Sequence, residues 1–140
     1  MELPQDNPGG FIYEITNLIT GQKYIGKKNC FSTTRKPPLK GKKRKRVVTR
    51  ESDWKTYKSS SKVLKAQIDE HGIKNFNFEI LIFSPDKAQN NFAELVYQIK
   101  MDVLQAMLPN GTRKYLNENI GMRYYHSDKY SLFRESLDQL

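Results

Sequence analysis

The chain has 140 residues, with 24 Lys and Arg against 15 Asp and Glu, and a formal net charge of +9. Mean hydropathy is −0.74 and the pI is about 9.6, so the chain is polar, yet eight Tyr, seven Phe and one Trp supply large pieces for one core. That balance favours a polyanionic partner, nucleic acid before an acidic membrane surface. No apolar run spans a bilayer and no secretory core is visible, so a cytoplasmic protein with no membrane partner is expected. Cys30 stands alone, which excludes an internal disulfide and a cysteine-based zinc site.

Residues 1–9 (MELPQDNPG) are polar and read as a flexible lead-in, ahead of a domain over 10–121. Phe11–Thr16 and Lys23–Gly26 are β-rich runs separated by Asn17–Gly21, the pattern of a hairpin with a longer loop. Tyr13 and Tyr24 hold comparable places in its two strands, and Lys27 follows Gly26. The next stretch, 35–50, reads as a basic loop. Between Arg35 and Arg46 stand Arg35, Lys36, Lys40, Lys42, Lys43, Arg44, Lys45 and Arg46 with no acid, interrupted by Pro37, Pro38 and Gly41. Such a segment cannot bury itself, and a phosphate backbone would relieve its repulsion. Lys28 and Arg50 flank it and extend the expected DNA-contacting set. Val47–Thr49 has the composition of a brief strand.

Ser61 is the expected N-cap of a helix over 62–70, with Val63, Leu64 and Ile68 inward and Gly72 past its end. That N-terminus, with Ser60 and Ser61, suits a phosphate, and plain capping explains the serines equally well. Phe76, Phe78, Ile80 and Ile82 alternate, which predicts a strand with one buried face, placed at the centre of the sheet. Ser84 as N-cap and Pro85 as first residue open a long helix predicted to run to Leu108. Its apolar stripes, Phe92–Leu95–Val96–Ile99–Val103–Ala106 and Tyr97–Met101–Leu104–Leu108, predict a largely buried helix. Glu94 lies at the edge of the second stripe and needs a cation, a donor or a metal. Tyr115–Ile120 reads as an extended pass beside the core. From Ser127, Tyr130, Phe133, Leu137 and Leu140 recur at helical spacing, so 122–140 is expected to be a C-terminal helical extension packing on the body or on a second copy. The order of pieces is that of an α+β domain.

Ile12-Tyr13 and Tyr24-Ile25-Gly26, about ten residues apart on a predicted hairpin, resemble the signature of the GIY-YIG nuclease family. The first triad carries Phe11 in place of glycine, with Gly10 beside it. The order of elements over roughly 10–120 is similar too, and Trp54–Ser61 before a helix ending in His71-Gly72 looks like the small phage-type members, free-standing homing endonucleases included. The resemblance implies a three-stranded antiparallel sheet flanked by helices, and a metal-dependent DNA endonuclease, phage- or mobile-element-borne and acting inside a bacterial host. It implies a single Mg²⁺ (or Mn²⁺) on Glu94, an auxiliary Asn117, proton removal from water by Tyr13 or Tyr24, and positive charge from Lys27. The phosphate-binding arginine of the pattern falls on Arg35 by spacing, with Arg44, Arg46 and Arg50 as alternatives.

The residue types suit that chemistry. Phosphodiester hydrolysis needs an activated water, neutralised phosphate charge and help for the leaving oxygen, and cations near a tyrosine are expected to favour its phenolate. One carboxylate with water and substrate oxygens suits Mg²⁺. Two competing readings are a catalytically inactive DNA-binding module of the same family and an RNA-binding protein using the tyrosines as stacking platforms. Cutting both strands of duplex DNA would require a homodimer, through the C-terminal helix, or two successive binding events.

Overall fold

The computed structural model describes residues 8–53, 57, 59–121 and 124–127. Strands β1 (Gly10–Asn17) and β2 (Lys23–Asn29) form the predicted hairpin. Its turn is set by Asn17, whose Oδ1 accepts from the backbone N–H of Ile19 at 2.9 Å, while Gly21 takes φ +81°. The basic stretch is not a plain loop. Strands β3 (Phe31–Lys36) and β4 (Arg46–Glu51) pair over six residues each, which corrects the loop expectation at 35–36 and 46–50 and extends the predicted Val47–Thr49 strand, while 37–45, with Lys40, Lys42, Lys43, Arg44 and Lys45, is the expected loop between them. β-branched Thr33, Thr34, Val47, Val48 and Thr49 in the arms explain the pairing. Helix α1 (Lys62–His71) starts where predicted, with Ser61 Oγ accepting from Leu64 N at 3.3 Å. A single 3₁₀ turn over Ile73–Asn75 leads into β5 (Phe76–Ser84).

The sheet order is β2-β1-β5, all antiparallel. β1 is therefore the central strand and β5 an edge, the reverse of the expectation that placed β5 in the middle. The residues of β1 carry the reason, since Phe11, Ile12, Tyr13 and Ile15 are all buried, filling both faces of the sheet. Phe11, Tyr13 and Ile15 join Leu64 of α1, with Phe31, Phe76, Ile80 and Phe83 packed around them. On the other face Ile12 and Ile25 meet Val103, Leu104 and Tyr115. A bulge in β5 pairs Ile12 with Ile82 but Tyr13 with Ile80. It moves Phe83 onto the Tyr13 face and Leu81 onto the other, so the strict alternation through Ile82 fails and Ile82 stands exposed.

Helix α2 (Lys87–Lys100) differs from its prediction at both ends. Ser84 completes β5 and Asp86 is the N-cap, its Oδ1 accepting from Gln89 N at 2.8 Å. Helical bonding stops near Lys100, because Asp102 takes φ +55° and turns the chain so that Val103 and Leu104 drop into the core. The apolar stripe faces out, with Phe92 69% and Ile99 62% exposed, while the fully buried positions are Asn90 and Gln98. Those amides serve the open edge of β2, where Gln98 donates to the carbonyl of Ile25 at 3.3 Å and Asn90 to that of Lys28 at 3.4 Å. Lys114–Asn117 then runs extended along the same edge, as predicted, with Leu116 N donating to Lys23 O at 2.7 Å. In the pair β6 (Asn119–Ile120) and β7 (Tyr124–Tyr125) the second strand falls within the stretch expected to be helical, whereas the helix expected further on lies outside the described residues, as does the start of the lead-in. Among the described residues no helix is long and apolar enough to cross a membrane.

Candidate active site

The site is built around Gly26. A Cβ at that position would lie 2.5 Å from the Tyr13 phenol oxygen and 2.8 Å from Tyr24 Cε1. Only hydrogen fits, so the motif glycine lets the two rings, 6.2 Å apart, close over β2. Gly10 is confined on the α2 side, since a Cβ there would lie 2.4 Å from Asn90 Nδ2 and 2.7 Å from Lys28 O, while Phe11, in the triad's first place, fills the core.

The tyrosines separate by exposure. Tyr13 is 1% exposed, stacked on Phe78 at 5.2 Å, and donates its O–H to Ser59 Oγ at 3.2 Å. Tyr24 is half-buried and lines an open cleft of about 770 Å³ with Lys27, Ser60, Ser61, Lys62, Glu94 and Asn117. Burial is the largest cause that raises the phenol pKa of both, and at Tyr24 the Glu94 carboxylate adds to it while the Ser59 hydroxyl opposes it. The groups that shift the two phenols are burial, the neighbouring tyrosines, Ser59 and, at Tyr24, the Glu94 and Glu118 carboxylates. Stacking platforms for RNA would leave the motif tyrosines open, and the buried Tyr13 speaks against them.

Glu94 projects from α2 towards Lys27. Desolvation raises its carboxyl above the usual value, and the Lys27 charge and backbone N–H oppose that shift. The Lys27 ammonium is held by Asn91 Oδ1, one turn before Glu94. Asn117 is buried and spends both amide atoms on one residue: its Nδ2 donates to Ile25 O at 2.7 Å and its Oδ1 accepts from Ile25 N at 3.1 Å. It locks the motif strand from its open edge. Ser61 caps α1 so that the helix begins at the cleft, with no acid in its first turn.

Three residues of this site were not anticipated. Ser59 is buried at φ +89°, a strained backbone for serine, and also accepts from Ser61 N at 3.2 Å. Its signal was the serine run ahead of α1. Asn91 stands three residues before Glu94 on one helix face, a spacing visible in the sequence. Lys62 enters through the cap geometry alone. Conversely, Arg35, Arg44, Arg46 and Arg50 do not line the cleft; Arg35 is exposed on β3, opposite Val47. Lys28 turns away to Asp53 at 2.5 Å and over the Tyr57 ring at 4.2 Å. Cys30 is buried with its thiol pushed up to about 11, an inert core residue.

A family model described as "Putative endonuclease segE, GIY-YIG domain" matches residues 2–120. The chain belongs to the GIY-YIG endonuclease family. No curated protein and no solved structure matches it significantly. In this GIY-YIG domain the hairpin, α1 and the Glu94-bearing helix all serve one cleft. The β3–β4 ribbon enters between the motif strand and α1. Arg35, the arginine that the family spacing points to, accordingly stands on the ribbon and not in the cleft.

Proposed function

We propose that the chain is a metal-dependent DNA endonuclease that hydrolyses phosphodiester bonds. The convergence of Tyr24, Lys27 and Glu94 with the N-terminus of α1 on one open cleft carries the reading. The donor set suits Mg²⁺ or Mn²⁺: Glu94 offers a hard carboxylate in a cleft open to water, and among the described residues no cluster of three His, Cys, Asp or Glu competes for a softer ion. Glu94 would hold the ion, whose chemistry there is charge neutralisation on the phosphate and stabilisation of the leaving oxygen.

The chain's own groups divide the remaining work. Lys27, Lys62 and the first-turn N–H groups of α1 face the phosphate oxygens. As the phenolate, Tyr24 orients the attacking water and takes its proton while the water–phosphorus bond forms and the phosphorus–O3′ bond breaks, and the departing O3′ takes a proton from solvent. Its raised pKa makes that step costlier at neutral pH and predicts a rate that climbs with pH. Ser59 and Asn117 position Tyr24 and β2. A phage or mobile-element origin, double-stranded DNA as substrate and the basic ribbon as DNA contact belong to the same reading.

A second reading, an inactive DNA-binding relative, is favoured by one observation: none of the described residues lining the cleft is an arginine. Supercoiled plasmid decides between them. Nicked or linear product that requires both Mg²⁺ and intact Glu94 supports the nuclease. Plasmid left intact in Mg²⁺ and Mn²⁺, yet retarded in a gel, supports the binding module.

A further inference from the structure

The β3–β4 ribbon is an unusual structure to stand in water alone. Nearly every residue of its arms is exposed or half-exposed on both faces. Over 31–51 it carries nine basic residues against Glu51, a net of +8 in a chain whose total is +9. A two-stranded ribbon without a covering layer is marginal by itself, and this one also repels itself. Its root is firm. Cys30 N donates to Gly9 O at 2.9 Å, Ser52 N donates to Cys30 O at 2.8 Å, and Phe31 packs on the core. The ribbon is therefore aimed, not trailing.

Its two faces differ. The register puts Phe31/Glu51, Thr33/Thr49 and Arg35/Val47 on one side and Ser32/Arg50, Thr34/Val48 and Lys36/Arg46 on the other. The first side has the apolar anchor and the acid. The second has no acid, two arginines, and hydroxyl and methyl groups between them. Same-face neighbours along a strand lie about 6.8 Å apart, which is two base-pair steps of about 3.4 Å. A second hollow, about 620 Å³ and lined by Lys27, Lys28, Ser32, Thr33, Ser52 and Lys87 among others, joins the foot of the ribbon to the cleft, with Lys27 lining both.

Resting on the endonuclease reading, we propose that the β3–β4 ribbon enters the major groove of duplex DNA beside the cleavage site and reads base edges through its Ser32/Arg50, Thr34/Val48 and Lys36/Arg46 face. The major groove, about 12 Å wide, admits a two-stranded ribbon in undeformed duplex, whereas the minor groove, about 6 Å wide, takes one only where the DNA is bent or widened. Arg46 and Arg50 offer forks for guanine O6 and N7, and Thr34 and Val48 offer methyl groups to pack on thymine. The tip lysines Lys40, Lys42, Lys43 and Lys45 meet phosphates at the groove walls. DNA that fills the hollow at Lys27 then has its scissile bond at a set distance from the bases being read.

The test reads binding alone, so it stands apart from whether the protein cuts. The full chain carrying Glu94→Ala is mixed with a random-sequence duplex pool lightly methylated by dimethyl sulfate, which marks guanine N7 in the major groove and adenine N3 in the minor groove. The bound fraction is expected to lose guanine-N7 methylation at a short cluster of positions and to keep adenine-N3 methylation. Arg46→Lys and Arg50→Lys retain charge but lose the fork, so each should weaken the preferred base by roughly tenfold with an unchanged salt slope. Arg35→Lys, on the opposite face, should leave the preference intact. Lys42→Gln with Lys43→Gln should lower the salt slope by about 0.9 for each phosphate no longer neutralised and leave the preference intact. Depletion confined to adenine N3, no depletion, or arginine variants with unaltered preference would overturn the proposal. Guanine-N7 depletion beside a wild type that never nicks plasmid supports the ribbon and removes the nuclease.

Discussion

The cleft and the ribbon are both charged, and they handle charge in opposite ways. In the cleft, Glu94 and Tyr24 are withdrawn from water, so burial raises the pKa of each, and Lys27 is tethered to Asn91. In the ribbon, cations stand in solvent with Glu51 alone as acidic residue within 31–51. Burial makes an electrostatic site answer to pH and to a bound cation, and shields it from salt. Exposure does the reverse. Under the proposed function, chemistry is assigned to the first region and contact with the polyanion to the second.

The largest effect that sharpens this contrast is expected at Glu94. Glu94→Ala should lower plasmid nicking by roughly a thousandfold, the scale of several kcal/mol of charge stabilisation, and leave gel-shift affinity within a fewfold of wild type. A parallel fall in affinity would break the separation of the two regions. Tyr24→Phe should follow, with a rate loss of about a hundredfold and a flattened rise of rate with pH, whereas Tyr13→Phe, which loses one buried hydrogen bond to Ser59, should cost about 1 kcal/mol of stability and keep the pH profile. Equal pH profiles for the two variants would remove Tyr24 from its role.

Gly26→Ala comes next. Its methyl would meet the Tyr13 oxygen within 2.5 Å, so a loss of about 2 kcal/mol in denaturant unfolding is expected, with nicking reduced alongside. In the ribbon, replacing Lys40, Lys42, Lys43 and Lys45 together by Gln should flatten the salt dependence of DNA binding by about 0.9 for each phosphate left without its lysine, and should not move the pH profile of nicking. The smallest effect has a definite sign. Burial makes the Glu94 carboxyl hold its proton more tightly in the folded protein than in the unfolded chain. That charge therefore costs stability above its raised value, and the cost disappears as pH falls towards the ordinary carboxylate range near pH 4. Glu94→Gln should melt above wild type at neutral pH, with the difference closing in acid. A wild type that melts higher than Glu94→Gln at neutral pH would show that the folded protein favours the charge.

Much of the fold was legible where the signal is local. Asn17 and Gly21 announce the hairpin turn, Ser61 announces α1, and the two triads announce the site, because each acts on backbone within a few residues. The α2 helix misleads because periodicity reports amphipathicity but not which face meets the body. The apolar stripe through Phe92 and Ile99 outweighs Asn90 and Gln98 on any hydropathy count, yet the open edge of β2 needs donors and takes the amides. The bulge at Leu81 and the turn at Asp102 are likewise answers to distant partners, Tyr13 in one case and Ile12 with Ile25 in the other.

By itself the sequence determined the α+β class, the motif hairpin and the family resemblance that singles out Glu94, since composition, short-range turns and motif spacing are properties of the chain taken a few residues at a time. The tertiary structure alone decided that Tyr24 and not Tyr13 faces the cleft, that Asn117 is spent on Ile25, that Ser59, Lys62 and Asn91 complete the site, and that the flanks of the basic stretch pair as a ribbon. Each of those depends on which residues far apart in sequence come within hydrogen-bonding or van der Waals reach, and on how far each is withdrawn from water, quantities set only when the sheet closes and the helices settle on its two faces.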